Sequence, residues 1–312
     1  MKKNLIIFYS ICTLYFAFCN LQSFGQQPPQ YTQYLFNNYL INPAIGGSKE
    51  YTDIKLGYRT QWIGFGAAPK TYFISAHTSL RNKKCEPKKF GTRNHHGIGG
   101  YIIRDETGPI SRMGIYLSYA HHIRVSYKTR VALGIFGGAM QYLLNSGGMR
   151  TAEPDPDIVS ISTIAPDASA GIWAYSDKYF GGISAQQLLP LKLGGTGNKL
   201  KNHFFITAGY IKQIKGYGTL IPSAHVKLGL LTPVSFDINV RYDWLNKFWI
   251  GISYRKVEGI LGLVGFNIGM FEVGYAYDFT LSRLRKYSGS THEIIIGFRV
   301  PKKEQDYRCP IW

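Results

Sequence analysis

The sequence predicts an all-β protein, a transmembrane antiparallel β-barrel of about 14 strands with short periplasmic turns and longer outer loops. Three observations carry this. The stretch FDINVRYDW sets Phe236, Ile238, Val240, Tyr242 and Trp244 against Asp237, Asn239, Arg241 and Asp243 without a miss, so an extended backbone carries one apolar and one charged face. About fourteen such segments recur, most about ten residues long, as a tilted membrane strand requires, against about five or six for an average soluble strand. The 312 residues include 23 Tyr and 35 Gly, a mixture suited to strands, tight turns and interfacial side chains.

The chain opens MKKNLIIFYSICTLYFAFCNLQSFGQQ, with Lys2 and Lys3, an apolar run to about Cys19, and the small residues Ser23 and Gly25. This reads as a secretory signal peptide over residues 1–25. An uncleaved anchor would need a longer apolar run, and Cys19 lacks the small neighbour that a lipidated cysteine needs. Cleavage leaves Cys85 and Cys309, and an oxidising compartment then makes them a candidate disulfide.

Residues 26–50 follow no strand alternation. Gln30, Gln33, Asn37, Asn38 and Asn42 interleave with Tyr31, Tyr34, Phe36 and Tyr39, combining amide donors with aromatic surface. The segment reads as a periplasmic or plug element, which either fills the lumen or docks on a partner; a disordered leader is the plain alternative.

Residues 51–300 carry the barrel, in segments near 51–60, 69–80, 95–105, 111–125, 129–141, 167–175, 178–187, 203–213, 219–230, 233–244, 247–256, 259–267, 269–281 and 291–299. A soluble sandwich alternates too, so connection lengths help to decide. With a periplasmic N-terminus, the gaps near 126–128, 176–177, 214–218, 245–246 and 268 are periplasmic and short, whereas those near 142–166, 188–202 and 282–290 are outer and longer, although the outer gaps at 231–232 and 257–258 are short. The exception is residues 81–94, RNKKCEPKKFGTRN, which are long yet fall on the periplasmic side with the tail, residues 301–312. Either the count slips there or this basic loop reaches a partner.

The barrel reading gives both faces of FDINVRYDW a purpose. The apolar face meets outer-membrane lipid, and the lumen receives a charge network of Asp53, Arg59, Asp237, Arg241, Asp243, Arg255, Glu272, Asp278, Glu293 and Arg299, whose opposite charges can pair across strands. Trp62, Trp173, Tyr179, Trp244 and Phe248 fit interfacial girdles.

A net charge of +18 raises nucleic acid as a partner, but the export signal and the dispersed Lys and Arg argue against it. A solvated basic rim, or attraction to anionic headgroups or an acidic partner, accounts for the charge. GFGAAPKT (Gly64 to Thr71) nearly spells a phosphate-binding loop, yet Pro69 stands where the glycine before the lysine is needed and offers no N–H. His95–His96 and His121–His122 cannot chelate within one strand, because adjacent residues face opposite sides; the alternative is that one member of each pair meets others in the lumen. The acidic stretch EPDPD (Glu153 to Asp157) lacks the full calcium-loop pattern. With no G-x-S-x-G or H-E-x-x-H pattern, the reading assigns no catalytic residue, cofactor or metal site.

Several long motifs stand in order: QYTQYLFNNYLINPAIGG (Gln30 to Gly47), RTQWIGFGAAPKTYFISAH (Arg59 to His77), DETGPISRMGIYLSYAHHI (Asp105 to Ile123), FWIGISYR (Phe248 to Arg255) and GYAYDFTLSRLRKYSGSTHEIIIGFR (Gly274 to Arg299). Together they resemble the PorP/SprF family of type IX secretion system outer-membrane proteins across essentially the whole mature chain. Thr291 interrupts the family's usual G-S-H-E, and the tail CPIW departs from the expected Cys-Pro-Arg-Phe. The resemblance implies a non-catalytic outer-membrane component of the type IX secretion and gliding motility machinery, supporting export or surface attachment of a partner protein. It also implies partners among ring lipoproteins, motor-linked proteins or a large surface adhesin. The partner-binding candidates are Gln30, Tyr31, Gln33, Tyr34, Phe36, Asn37, Asn42, Pro43, Trp62 and Phe65. The rival reading is a diffusion channel for small or hydrophobic molecules, whose selectivity would lie in the charge and bore of the lumen.

Overall fold

The computed structural model describes residues 33–302 apart from 65, 81–93, 127, 146–159, 190–201, 230–231, 257–258 and 281–288. Two 3-10 turns, Asn38–Leu40 and Pro43–Ile45, precede β1 (Thr52–Thr60), β2 (Lys70–Leu80), β3 (His95–Thr107), β4 (Ile110–Arg124), β5 (Arg130–Leu144), β6 (Ile161–Tyr175), β7 (Tyr179–Gln186), β8 (His203–Tyr210), β9 (Lys212–Ile214), β10 (Gly218–Gly229), β11 (Thr232–Trp244), β12 (Phe248–Arg255), β13 (Gly259–Ile268), β14 (Phe271–Thr280) and β15 (Thr291–Val300). Each strand pairs antiparallel with its sequence neighbours, except that β8 and β9 both pair with β10 and not with each other, and β1 pairs with β15 from Thr52↔Val300 to Thr60↔His292. The sheet is therefore a closed barrel with no free edge, the one sheet form that satisfies its backbone inside hydrocarbon.

β8 and β9 are two pieces of one strand, which makes the wall fourteen strands. Both pair with β10, and the registers Ser223↔Gly209 and Leu220↔Lys212 leave Tyr210 and Ile211 opposite Pro222 and Ile221. Pro222 brings no N–H to the ladder, and Ile211 donates instead to the Lys178 carbonyl at 2.7 Å.

Both ends of the barrel sequence, Thr52 and Val300, lie at one end of the wall, here termed the terminal end. Every connection there is short except residues 81–94, so the strand count does not slip at that loop. The turn Trp244–Lys247 shows why such turns are tight. Lys247 N donates to the Trp244 carbonyl at 2.9 Å, with Leu245 and Asn246 both left-handed (φ 47° and 57°), as a type I′ hairpin requires. The long connections 145–160, 187–202 and 281–290 lie at the far end.

Alternation sorts the side chains as the two solvents demand. Leu56, Ile74, Leu117, Ile135, Ile172, Ile206, Ile238, Ile252 and Ile294 are exposed on the outer face, while Asp53, Arg59, His122, Asp237, Arg255 and Glu293 are buried inside. No helix among the described residues is long and apolar enough to cross a membrane. Two expectations need correction. β6 begins at Ile161 rather than near 167, and β3 to β5 reach 13 to 15 residues, because these hairpins extend beyond the membrane-spanning length. Trp173 is not in an interfacial girdle: it occupies an inward position, is buried, and stacks on Phe180 at 5.6 Å between ring centroids. Trp244 and Tyr179 are exposed on the wall.

This sorting predicts a depth-dependent penalty. Ile252→Arg, at the middle of β12, is expected to destabilise the lipid-inserted barrel by about 2–4 kcal/mol, and Ile268→Arg, beside the turn after β13, by about 0–1 kcal/mol. Equilibrium urea unfolding in lipid vesicles checks both; equal costs would mean that Ile252 does not face hydrocarbon.

Candidate functional site: the filled lumen

Residues 33–47 run through the barrel interior and meet the inward faces of strands all around the wall. The Gln33 N–H donates to Glu293 Oε1, and its Nε2 to the Glu293 carbonyl, both at 3.1 Å. The Tyr34 hydroxyl shares a hydrogen bond with Ser223 Oγ at 3.0 Å while its ring stacks on His225. Phe36 packs on Trp249 at 5.4 Å between centroids, with the Lys55 ammonium 4.1 Å over its other side and bonded to its carbonyl. Asn37 Nδ2 donates to Ser75 Oγ at 3.0 Å. The Tyr39 hydroxyl lies 2.6 Å from Ser118 Oγ, and its ring contacts His77 and Phe136.

Burial pushes the phenols of both Tyr34 and Tyr39 above the ordinary tyrosine range, with their serine partners acting the other way. Both therefore remain protonated at neutral pH.

Asn42 explains how the chain turns inside the lumen. Its Oδ1 accepts from Ala44 N at 3.0 Å and caps the second 3-10 turn, in which Pro43 takes the first position and has no donor to leave unsatisfied. Its Nδ2 donates to the Ile172 carbonyl at 3.0 Å. The carbonyls of Leu40 and Ile41 accept from Gln186 Nε2, and Ile41 also from Ser184 Oγ. Nonregular backbone inside a membrane barrel needs such partners, since no hydrocarbon can supply them.

Three inward histidines hold the exit. His122 Nε2 donates to the Gly46 carbonyl at 2.7 Å, which leaves Nδ1 to accept from the Tyr175 hydroxyl at 3.0 Å. His95 Nε2 donates to the Gly47 carbonyl at 3.1 Å. His77 Nδ1 accepts from Gly47 N at 3.2 Å, so its Nε2 carries the proton that faces Asp53 at 3.5 Å. Glycine in the wall permits the close approach: a Cβ on Gly134 would collide with the backbone of Pro43 and Ala44, and one on Gly97 with the Gly46 carbonyl. Between plug and wall a cavity of about 300 Å³ remains, lined among others by Phe36, Tyr39, Lys49, Trp173, Phe180 and Arg241.

All ten charges assigned to the lumen stand in ion pairs. Arg59 lies 3.2 Å from Asp278 and 3.6 Å from Glu293, Arg241 3.0 Å from Asp243, and Arg255 2.8 Å from Asp237. Arg299 pairs with Glu272. Asp53 lies 2.6 Å from Lys49 and 3.6 Å from Lys55, which also faces Glu272 at 3.7 Å. The four arginines of the set face six carboxylates, and Lys49 and Lys55, which the sequence reading did not assign to the network, bring the cations to six. Arg241 additionally stacks on Trp249 at 4.4 Å.

Of the partner-binding candidates, Gln33, Tyr34, Phe36, Asn37, Asn42 and Pro43 are buried against this wall. Trp62 is apart from them, half-buried at the far end, with its N–H 3.4 Å from Thr291 Oγ1. Gln30, Tyr31, Phe65, Cys85 and Cys309 lie outside the described residues, as do the signal peptide, Glu153–Asp157 and residues 303–312. Sequence reasoning missed Trp249, His77, His95 and His122 as plug contacts. Each occupies the inward register of its strand, the one signal that could have found them.

Breaking a buried pair from one side leaves an uncompensated charge. Arg255→Met is accordingly expected to cost about 3–5 kcal/mol, and Arg255→Met with Asp237→Leu to recover most of that loss. A double-mutant cycle by urea unfolding measures the coupling, which would be near zero if the pair were solvated.

The chain matches the family model described as type IX secretion system membrane protein PorP/SprF over residues 23–298. Among curated protein sequences none matches it. Its fold is similar to a crystal structure of a Pseudomonas aeruginosa FadL homologue, with a TM-score of 0.50, 11% identity, and coverage of 88% of this chain and 95% of that one. The CymD monoaromatic hydrocarbon channel gives a TM-score of 0.52 at 11% identity, with 86% and 93% covered. At such identities the likeness is one of barrel architecture alone. The family match spans most of the sequence, and the protein described here belongs to the PorP/SprF family of type IX secretion system membrane proteins.

Proposed function

We propose that this protein is a plugged outer-membrane barrel of the type IX secretion pathway that acts by binding proteins, supporting export or surface attachment of one partner, without catalysis. The observation that carries the reading is the occupied lumen. Residues 33–47 bond to the wall strands that enclose them, and the charges around them are paired with one another rather than offered to a passing solute. A diffusion channel places selectivity in a bore, and here the plug backbone occupies that bore. Partner specificity is then assigned to surfaces outside the wall: the long far-end loops and the basic connection at residues 81–94. The even strand number and the short turns at the terminal end support periplasmic termini, which would bring residues 81–94 within reach of secretion components there and the far-end loops within reach of a surface adhesin.

The channel reading has one observation in its favour, the aromatic cavity of about 300 Å³ beside the plug. Affinity purification from gently solubilised outer membranes, followed by mass spectrometry, separates the two. Secretion lipoproteins or one large surface protein should co-elute; a barrel that elutes alone would favour the channel. In planar bilayers the native protein is expected to be electrically silent. Gly134→Val, which drives a side chain into Pro43 and Ala44, is expected to raise open-state conductance events. Steady conductance of the native barrel would overturn the plugged reading.

A further inference from the structure

The two histidine doublets divide between the faces of the wall. His95 and His122 turn inward, stack at 4.3 Å and are committed to the plug carbonyls. His96 and His121 turn outward and are direct cross-strand partners on β3 and β4. We propose that His96 and His121 form a two-histidine chelate for a divalent transition-metal ion on the outer surface of the barrel, at its terminal end.

The geometry carries this. The two Nδ1 atoms lie 3.3 Å apart in a hydrogen bond, whose shared proton must leave before both lone pairs can reach one ion. Two imidazole nitrogens about 2.0–2.1 Å from one ion at a tetrahedral angle stand about 3.3 Å apart, so the spacing of the pair matches the bite of a chelate. The ligands come from two rigid neighbouring strands, which hold that spacing without ordering a loop. The Tyr119 hydroxyl is 2.6 Å from His96 Nδ1. A ring nitrogen offers one proton or one lone pair, so His96 Nδ1 serves His121 or Tyr119 fully, not both. An ion that receives both imidazole lone pairs resolves the conflict and leaves the phenol free to orient a bound water.

The surroundings are apolar on one side. Leu80, Ile98 and Leu133, the register neighbours of this cluster, are exposed apolar residues of the lipid-facing surface. Polar groups on that face are costly unless satisfied. His96 is the second residue of β3, which places the pair at the barrel rim, where water and ions reach it. Imidazole ligands select zinc, copper or nickel over magnesium or calcium. Among the described residues no third histidine, cysteine or carboxylate joins the pair. Two imidazoles fill two positions of such an ion and leave the others to water or to a further ligand.

The test is calorimetric titration of Zn²⁺ into the refolded full-length protein in detergent, with heat-modifiable gel migration confirming the fold of each variant. The native protein should bind one equivalent that His96→Ala with His121→Ala loses, and either single change should weaken binding at least tenfold. His292→Ala removes an outward histidine whose Nδ1 lies 2.7 Å from the Tyr275 hydroxyl and should leave the stoichiometry unchanged. Should an alanine variant fail to fold, His121→Gln keeps the polarity and removes the chelate. Zinc should also raise the melting temperature of the native barrel and not that of the double variant. Equal zinc binding by native and double-variant protein, or no native binding at millimolar zinc, would overturn the proposal.

Discussion

The register between β1 and β15 is the constraint on which the rest of the structure depends. With Thr52 set against Val300 and Thr60 against His292, the last two edges of the sheet become one more ladder, and every strand acquires two neighbours. An open sheet of this length would present unpaired N–H and C=O groups to hydrocarbon, at several kcal/mol for each. Closure removes that cost but creates a second one. Half of every strand's side chains now face an enclosed space that lipid cannot fill.

The protein answers the second cost with its own chain. A lumen lined by serines, histidines and paired charges is a surface of hydrogen-bonding groups awaiting partners, and residues 33–47 supply them through amides, phenols and backbone carbonyls. The match runs in both directions. The plug has no regular secondary structure beyond two 3-10 turns, so its backbone relies on the wall, and His77, His95 and His122 rely on the plug's backbone N–H and carbonyl groups to settle their tautomers. Ion pairs such as Arg59 with Asp278 and Glu293 add specificity rather than large stability, since desolvation offsets most of their attraction.

This arrangement separates the two faces of the wall functionally. Many inward positions meet the plug or pair with one another, and on the proposed reading the outer rim and the connections are left for recognition of a partner. The division of His95 and His122 from His96 and His121 is the same principle on the scale of a dipeptide: one step along a strand exchanges a structural role inside for a ligand role outside.

The fold was largely legible in the sequence, and the physical reason is period. A residue such as Ile238 or Asp237 reports its solvent through its neighbours two positions away, so FDINVRYDW declares a wall between lipid and a polar interior without any knowledge of the rest of the chain. The same alternation placed the lumen charges on their face. It could not place Trp173, whose size suggested the membrane interface, because whether an inward aromatic packs or projects depends on what fills the lumen beside it. Nor could it choose between a plug and a docking arm for residues 33–47. That segment has no period, and its amides and phenols are equally suited to either surface. Only the tertiary structure decided that Gln33 meets Glu293, that Asn42 meets Ile172, and that Lys49 and Lys55 balance the carboxylates. Such contacts join residues up to 260 positions apart, and no local pattern specifies which distant strand a side chain will face once the barrel closes.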